Sequence, residues 1–316
     1  MTRSAKTRFV AAATAAVLPL LTAAVAMPAT AVPTPEAKPA KTAACGALFD
    51  DFNYTSRTDP AFTRRDWSVR TNAGGPGVGG ATWAASNVTF PTVDGQKVMQ
   101  LRASTNGTPG GTTHAQVQQN TLRFREGTYA TRFKFSDTPV SGNDGDRINQ
   151  TFYAISPLDY DWEPTYSELD FSEYLPNGGW GETGPVNFVT SWNTYQADPF
   201  DGWRKSSRMP WSHNGWHTLV TTVADGHVKY YIDGNLVGDH TTDDQGRSVY
   251  PRRNMTLNYN QWFIDLGGHS GATSVYVQSA DWVYYAKNET LTPAAAVNRV
   301  AQFRNSGVRH SDTISC

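Results

Sequence analysis

Cysteine is nearly absent: Cys45 and Cys316 are the only two in 316 residues. That excludes a disulfide-knitted scaffold and a thiolate metal centre. In an exported chain the pair is most simply one disulfide joining the ends of the fold, worth about 5 kcal/mol in the chain-entropy model. A surplus of charge is also lacking, with 27 basic against 28 acidic residues. Nucleic acid and anionic membranes are therefore not implied as partners. Long hydrophobic runs are confined to the start, where the acid-free MTRSAKTR precedes FVAAATAAVLPLLTAAVAM and the small residues Ala29-Thr30-Ala31. This predicts a secretory signal peptide over residues 1–31 and an extracellular location. A membrane anchor fits less well, because the run is Ala-rich, holds Pro19 and is near the roughly 17-residue minimum for a span. Without the leader's three cations the net charge is −4, from 24 basic and 28 acidic residues.

Residues 32–44, VPTPEAKPAKTAA, have the Pro, Ala and Lys content of an extended linker. The remaining length, roughly 270 residues without repeat or composition break, suits one large β domain. What the chain has in abundance is aromatic side chains, 10 Trp, 14 Tyr and 14 Phe. Most must fill a core, and a surplus of Trp suits a flat ligand. Short alternating segments separated by Gly, Pro, Asn and Asp fill the sequence. TYATRFKFS places Tyr129, Thr131, Phe133 and Phe135 on one face, and HVKYYIDGNLV reads as a hairpin about Asp233-Gly234 with Val228, Tyr230 and Ile232 inward. Such a succession argues for an all-β sandwich. Trp216 and Trp282, embedded in alternating segments, read as core, and His217 as an ordinary half-buried histidine. The one helix pattern is TPAAAVNRVAQFRNSG, with Thr292 as cap, Pro293 in the first turn, Gly307 as stop, and Val297, Val300 and Phe303 as its apolar stripe.

One segment breaks the period. In Glu168-Leu169-Asp170-Phe171-Ser172-Glu173 the first two acids share a strand face and the third is out of phase. A β-bulge after Asp170, with Leu169 in the core and Phe171 or Ser172 absorbing the irregularity, would return Glu173 to the face of the other two. Three clustered carboxylates raise one another's pKa, which is costly unless used. Retaining hydrolysis of a glycosidic bond uses such a set: an ionised nucleophile, a protonated acid, and a third acid to tune them.

The E-x-D-x-x-E pattern resembles the active-site strand of glycoside hydrolase family 16, in which a regular E-x-D-x-E form also occurs. LFDDFNYTSRTDPAFTRRDWSV, FREGTYATRFKF, GWHTLVTTVADGHVKYYIDGNLV and SADWVYYAK are similar to other family segments, in order, over most of Leu48–Lys287. The resemblance implies an all-β jelly-roll sandwich, concanavalin A-like, of two curved antiparallel sheets with an open cleft on the concave face, plus a short C-terminal helix. It implies a catalytic domain over 45–288 and a helical tail over 289–316 packed on it. It gives Glu168 the role of nucleophile, Asp170 of modulator and Glu173 of acid/base. The chain departs from the family around these acids: WEPTYS leads into Glu168, and VNFVTSWNTY lacks the His often found on the following strand. Trp162, Trp180, Trp192, Trp203 and Trp262 are the candidate sugar platforms, Trp180 and Trp192 foremost. Asp281 matches a calcium-binding Asp of several members and Gly95 a carbonyl donor, which raises a structural calcium; no cofactor is required for the chemistry.

These readings predict a secreted, monomeric, endo-acting retaining glycosidase whose partner is a polysaccharide, β-1,3- or β-1,3-1,4-glucan first. A lectin-like binder, a transglycosylase, or a galactan- or agar-type hydrolase on the same scaffold are the alternatives.

Overall fold

The computed structural model describes residues 46–315. The expected signal peptide and linker, and the expected Cys45–Cys316 disulfide, lie outside the described residues. Apart from short helical turns and one C-terminal helix, the regular elements of the described chain are β-strands.

Two antiparallel sheets face each other. The acid-bearing sheet runs, in spatial order, Trp67–Val69, Thr113–Gln119, Thr256–Phe263, Ile148–Ile155, Glu168–Leu175, Val186–Gln196 and Asp201–Met209. The back sheet runs Asn235–His240, His227–Ile232, Gly215–Ala224, Gly127–Phe135 and the long strand Ser274–Lys287. One half of that last strand then pairs with Met99–Thr105 and the other half with Ala47–Asp50. The two sheets meet at a corner where Ser104 pairs with Thr113.

The core between them follows from alternation. Phe152, Leu169, Phe171, Val189 and Tyr259 come from the acid-bearing sheet, and Tyr129, Phe133, Phe135, Val228, Tyr230 and Ile232 from the back sheet, all in one buried cluster. Tyr129 meets Phe171 with ring centroids 4.8 Å apart, and Phe152 meets Tyr259 at 4.6 Å. The inward positions read from TYATRFKFS and HVKYYI are all buried, and Thr128 and Ala130 on the other face are buried too. With residues of this size, truncating a single core ring to Ala costs about 3–5 kcal/mol.

The helix Pro293–Asn305 starts on Thr292, whose hydroxyl accepts from the Ala295 N–H at 3.2 Å, and it is followed by Gly307 at φ +70°. Its buried stripe is Ala296 and Val300 with half-buried Phe303, whose ring stacks on Phe49 at 4.8 Å. Val297, expected in that stripe, is exposed instead. Residues 296, 300 and 303 follow the 3.6-residue period, whereas 297 lies about 100° off it. Beyond the helix, His310–Asp312 adds a strand to Ala47–Asp50, so the tail is stitched into the back sheet as well as packed on it. Trp282 is buried beneath this helix, as expected of a core residue. Trp216 is not: it sits half-exposed on the outer face, under the Arg132 guanidinium at 4.4 Å, and donates to Asp94 at 2.8 Å. Alternation fixed its face, and that face looks away from the core. His217 is half-buried, as expected, against the Asp233 carboxylate at 2.6 Å.

Candidate active site

The bulge exists, and Phe171 is its extra residue. Toward one neighbour Asp170 pairs with Thr190 and Glu173 with Phe188, so Val189 alone opposes both Phe171 and Ser172. Toward the other neighbour Tyr153 pairs with Asp170 and Phe152 with Ser172, leaving Phe171 without a partner. Phe171 and Ser172 both turn inward: the ring joins the core, and the Ser172 hydroxyl donates to the Asn187 side chain at 2.8 Å. Glu173 is thereby returned to the face of Glu168 and Asp170. The three acids form a row on the face of the sheet away from the core.

Each acid has its own partner. The Tyr166 hydroxyl donates to Glu168, the Trp192 indole N–H to Asp170 at 2.7 Å, and the Asn149 amide to Glu173 at 3.3 Å. Burial pushes Glu168 well above the usual carboxylate range, the charge of Asp170 adds to it, and the Tyr166 hydrogen bond opposes it. Glu173 is pushed up in the same way, by burial first and Asp170 second. Asp170 is raised to about 7 by burial, against the Trp192 hydrogen bond and the Arg204 charge. The set therefore holds protons in common near neutrality, which permits one glutamate to be an acid while the other is ionised.

The floor beside the row is rich in amides. Asn258 and Asn260 on Thr256–Phe263, two strands away from the acids, and Gln116 on the strand beyond are buried, and Asn260 donates to the Tyr153 hydroxyl at 3.2 Å. Past the Glu168 end, Ile155, Pro157, Tyr160, Tyr195 and Thr256 line a depression of about 620 Å³, with the Tyr160 ring exposed. The loop leading to Glu168 is anchored by Glu163, a buried carboxylate that accepts from the Asp159 N–H at 2.8 Å and from Arg253 at 2.6 Å.

The five candidate tryptophans do not form one platform. Trp180 is half-exposed at the Glu173 end, 5.9 Å from Trp262. Trp262 is itself buried, with Gly77 against its ring so closely that a Cβ there would come within 2.8 Å of it. Trp162 and Trp203 pack on each other at 4.6 Å, and the Arg247 guanidinium lies 3.9 Å over Trp203. Trp192, opposite Glu168, carries the Arg204 guanidinium at 4.7 Å. Trp180 is thus the candidate with an open face; Trp203 and Trp262 are corrected to packing residues, and Trp192 positions Asp170 and Arg204.

The donor set proposed for calcium does not fit. Asp281 is fully buried, and its two oxygens accept from Arg304 at 2.6 and 3.1 Å and from Arg132 at 2.9 Å. Gly95 sits in a turn whose neighbour Asp94 pairs with Lys134 at 2.6 Å, and Lys134 and Arg132 belong to the strand between. No group of three or more His, Cys, Asp or Glu side chains able to hold a metal ion occurs among the described residues. Two guanidiniums stand where the resemblance called for a cation.

Tyr166, Asn149 and Arg204 were missed from the sequence. Tyr166 shares the parity of Glu168 two residues on, a signal that was available; the other two arrive from neighbouring strands.

No family model matches the chain. Solved structures do: a Bacillus licheniformis β-glucanase superposes with a TM-score of 0.53 at 18% identity, over 77% of this chain and 98% of its own. A family 16 endo-glucanase from Bacteroides ovatus does so with a TM-score of 0.55 at 16% identity, over 74% of this chain and 98% of its own. The fold is that of the family 16 glycoside hydrolases. In sequence, a Paenibacillus macerans β-glucanase is 26% identical over 230 residues, which are 72% of this chain and 85% of that protein. The chain thus has a β-glucanase as a sequence relative as well as the shared fold.

Proposed function

We propose that the protein is a secreted endo-acting retaining glycoside hydrolase that cuts internal β-glycosidic bonds, with β-1,3- or mixed-linkage β-glucan as the first substrates to test. The observation that carries the reading is the bulge at Phe171, which brings Glu168, Asp170 and Glu173 into one row. Glu168, in the ionised form that the Tyr166 hydrogen bond favours, attacks the anomeric carbon. The glycosidic C–O bond breaks as its oxygen takes the proton of Glu173. Glu173, now a base, deprotonates a water that attacks the same carbon and frees Glu168. Burial first, and then the charge of Asp170 between them, raises Glu173 and favours its protonated form. The depression beyond Glu168 and the open face of Trp180 at the other end give a polymer room on both sides of the row.

New reducing ends are measured on β-1,3-glucan, mixed-linkage β-glucan, agarose, carrageenan and galactan, with wild type, Glu168→Gln and Glu173→Gln. Cleavage of at least one polymer by wild type and its near-complete loss in both variants are expected. Full activity in either variant would sink the mechanism, and binding without cleavage by wild type would make the protein a lectin.

A further inference from the structure

The cation on Trp192 has no evident structural task. Arg204 lies on the edge strand opposite Trp192, which in turn lies opposite Glu168. Its guanidinium is 4.7 Å over the Trp192 ring and 5.7 Å from the Phe200 ring. Gly202 clears the space: a Cβ there would come within 2.6 Å of the Trp192 ring and 3.2 Å of the Arg204 Nη1. The group is therefore held by stacking, with its N–H edge left free.

Its neighbours are all engaged. Lys205 pairs with Asp244 at 2.6 Å, Arg247 with Asp243 at 2.6 Å, and Arg208 with Glu182 through two contacts of 2.6 Å. Across the floor, Arg70 stacks on Trp83 at 4.1 Å, but it donates to Gln116 and to the carbonyls of Asn72, Gly74 and Gly75, so it fixes a loop. Among the described residues Arg204 has neither a carboxylate within ion-pair distance nor a hydrogen bond; Asp201, exposed on the same strand, does not pair with it. The three acids feel its charge only at longer range.

A cleft for a neutral glucan would leave the ring beside the nucleophile bare for a sugar. Here that ring presents a guanidinium, whose fork matches the two oxygens of a carboxylate or a sulfate ester. We propose that Arg204 is a specificity residue that binds an anionic substituent on the glycan, so that the substrate is an acidic β-glycan rather than a plain one. This rests on the reading of the acid row as a glycan-cleaving cleft.

The test separates the two. In the Glu168→Gln background, calorimetry compares mixed-linkage β-glucan oligosaccharides with their C6-carboxylated and their sulfated derivatives, before and after Arg204→Gln. A charged ligand is expected to bind about tenfold more tightly than the neutral one. That preference should vanish in the Arg204→Gln background and shrink in 0.5 M salt, about threefold the physiological ionic strength. The tighter of the two charged ligands identifies the anion. Equal binding, no binding of charged ligands, or a preference that survives Arg204→Gln overturns the proposal. Loss of all cleavage by wild type with the charge preference intact would instead overturn the hydrolase reading alone. Arg204 is exposed, and unchanged melting of the Arg204→Gln protein checks that folding is not what was lost.

Discussion

Replacing Arg304 with Met should loosen the C-terminal helix by an amount that the geometry bounds. The Arg304 guanidinium makes two bonds to the Asp281 carboxylate, at 2.6 and 3.1 Å, and a third to its carbonyl at 3.3 Å. Asp281 is wholly buried, and after the substitution only Arg132, at 2.9 Å, would remain on it. Removing one partner of a buried ion pair costs about 3–5 kcal/mol. The Arg304 side chain is 30% exposed, so water reaches part of the vacated site. With that and with Arg132 retained, a loss of about 2–3 kcal/mol is expected. Met keeps most of the aliphatic stem, so the packing of neighbouring Phe303 on Phe49 should survive. Urea unfolding at pH 7 gives the loss directly, and a double-mutant cycle with Asp281→Asn isolates the pair; a coupling of at least about 1 kcal/mol is expected. A loss below about 0.5 kcal/mol, the range of ordinary surface changes, would refute the claim that this pair pins the tail. The same cation occupancy predicts that neither calcium nor a chelator moves the melting temperature of the wild-type protein, and a calcium-dependent rise would reinstate the metal.

Asp170→Asn removes the charge that most raises Glu173 after burial, so the alkaline limb of the kcat/KM profile should move to lower pH. The same change should stabilise the fold at pH 8. Asp170 is raised from 3.8 to about 7 in the fold, so the native state binds the extra proton and loses stability as pH rises through that window, by about 4 kcal/mol at most; equal melting gains at pH 5 and pH 8 would contradict this. Tyr166→Phe deletes the donor that favours ionised Glu168, and should lower kcat/KM about tenfold or more while moving the acid limb upward. Trp180→Ala should raise KM with a smaller effect on kcat, as expected of a platform distant from the reacting bond; an unchanged KM would leave that ring without a role.

Much of the fold was legible because strands buried on one face declare themselves by alternation. The acid strand was legible through its exception: one out-of-phase glutamate implied a bulge, and Phe171 supplies it. Alternation says which face a side chain takes, however, and nothing about what covers it. Trp192 and Trp203 looked like sugar platforms because the arginines that lie on them come from positions 204 and 247. Trp262 looked open because Gly77, its cover, is far away in sequence. Asp281 resembled a metal ligand until Arg304, on another element, took its oxygens. The strand Asp201–Met209 has a mostly polar face pattern, so its arginine drew no notice.

The bulge has a consequence for insertions and deletions. Its two inward residues, Phe171 and Ser172, stand where a regular strand would have one, and only the Ser172 bond to Asn187 depends on the second. Deleting Ser172 would make the strand regular and still leave all the acids on one side, since plain alternation gives the last glutamate the same parity that the bulge gives it now. Gain or loss of one codon at this point alters the filling of the interior while the order of charges on the surface is kept. The two motif forms, E-x-D-x-x-E and E-x-D-x-E, are then neighbours by a single length change, with no inactive intermediate required between them.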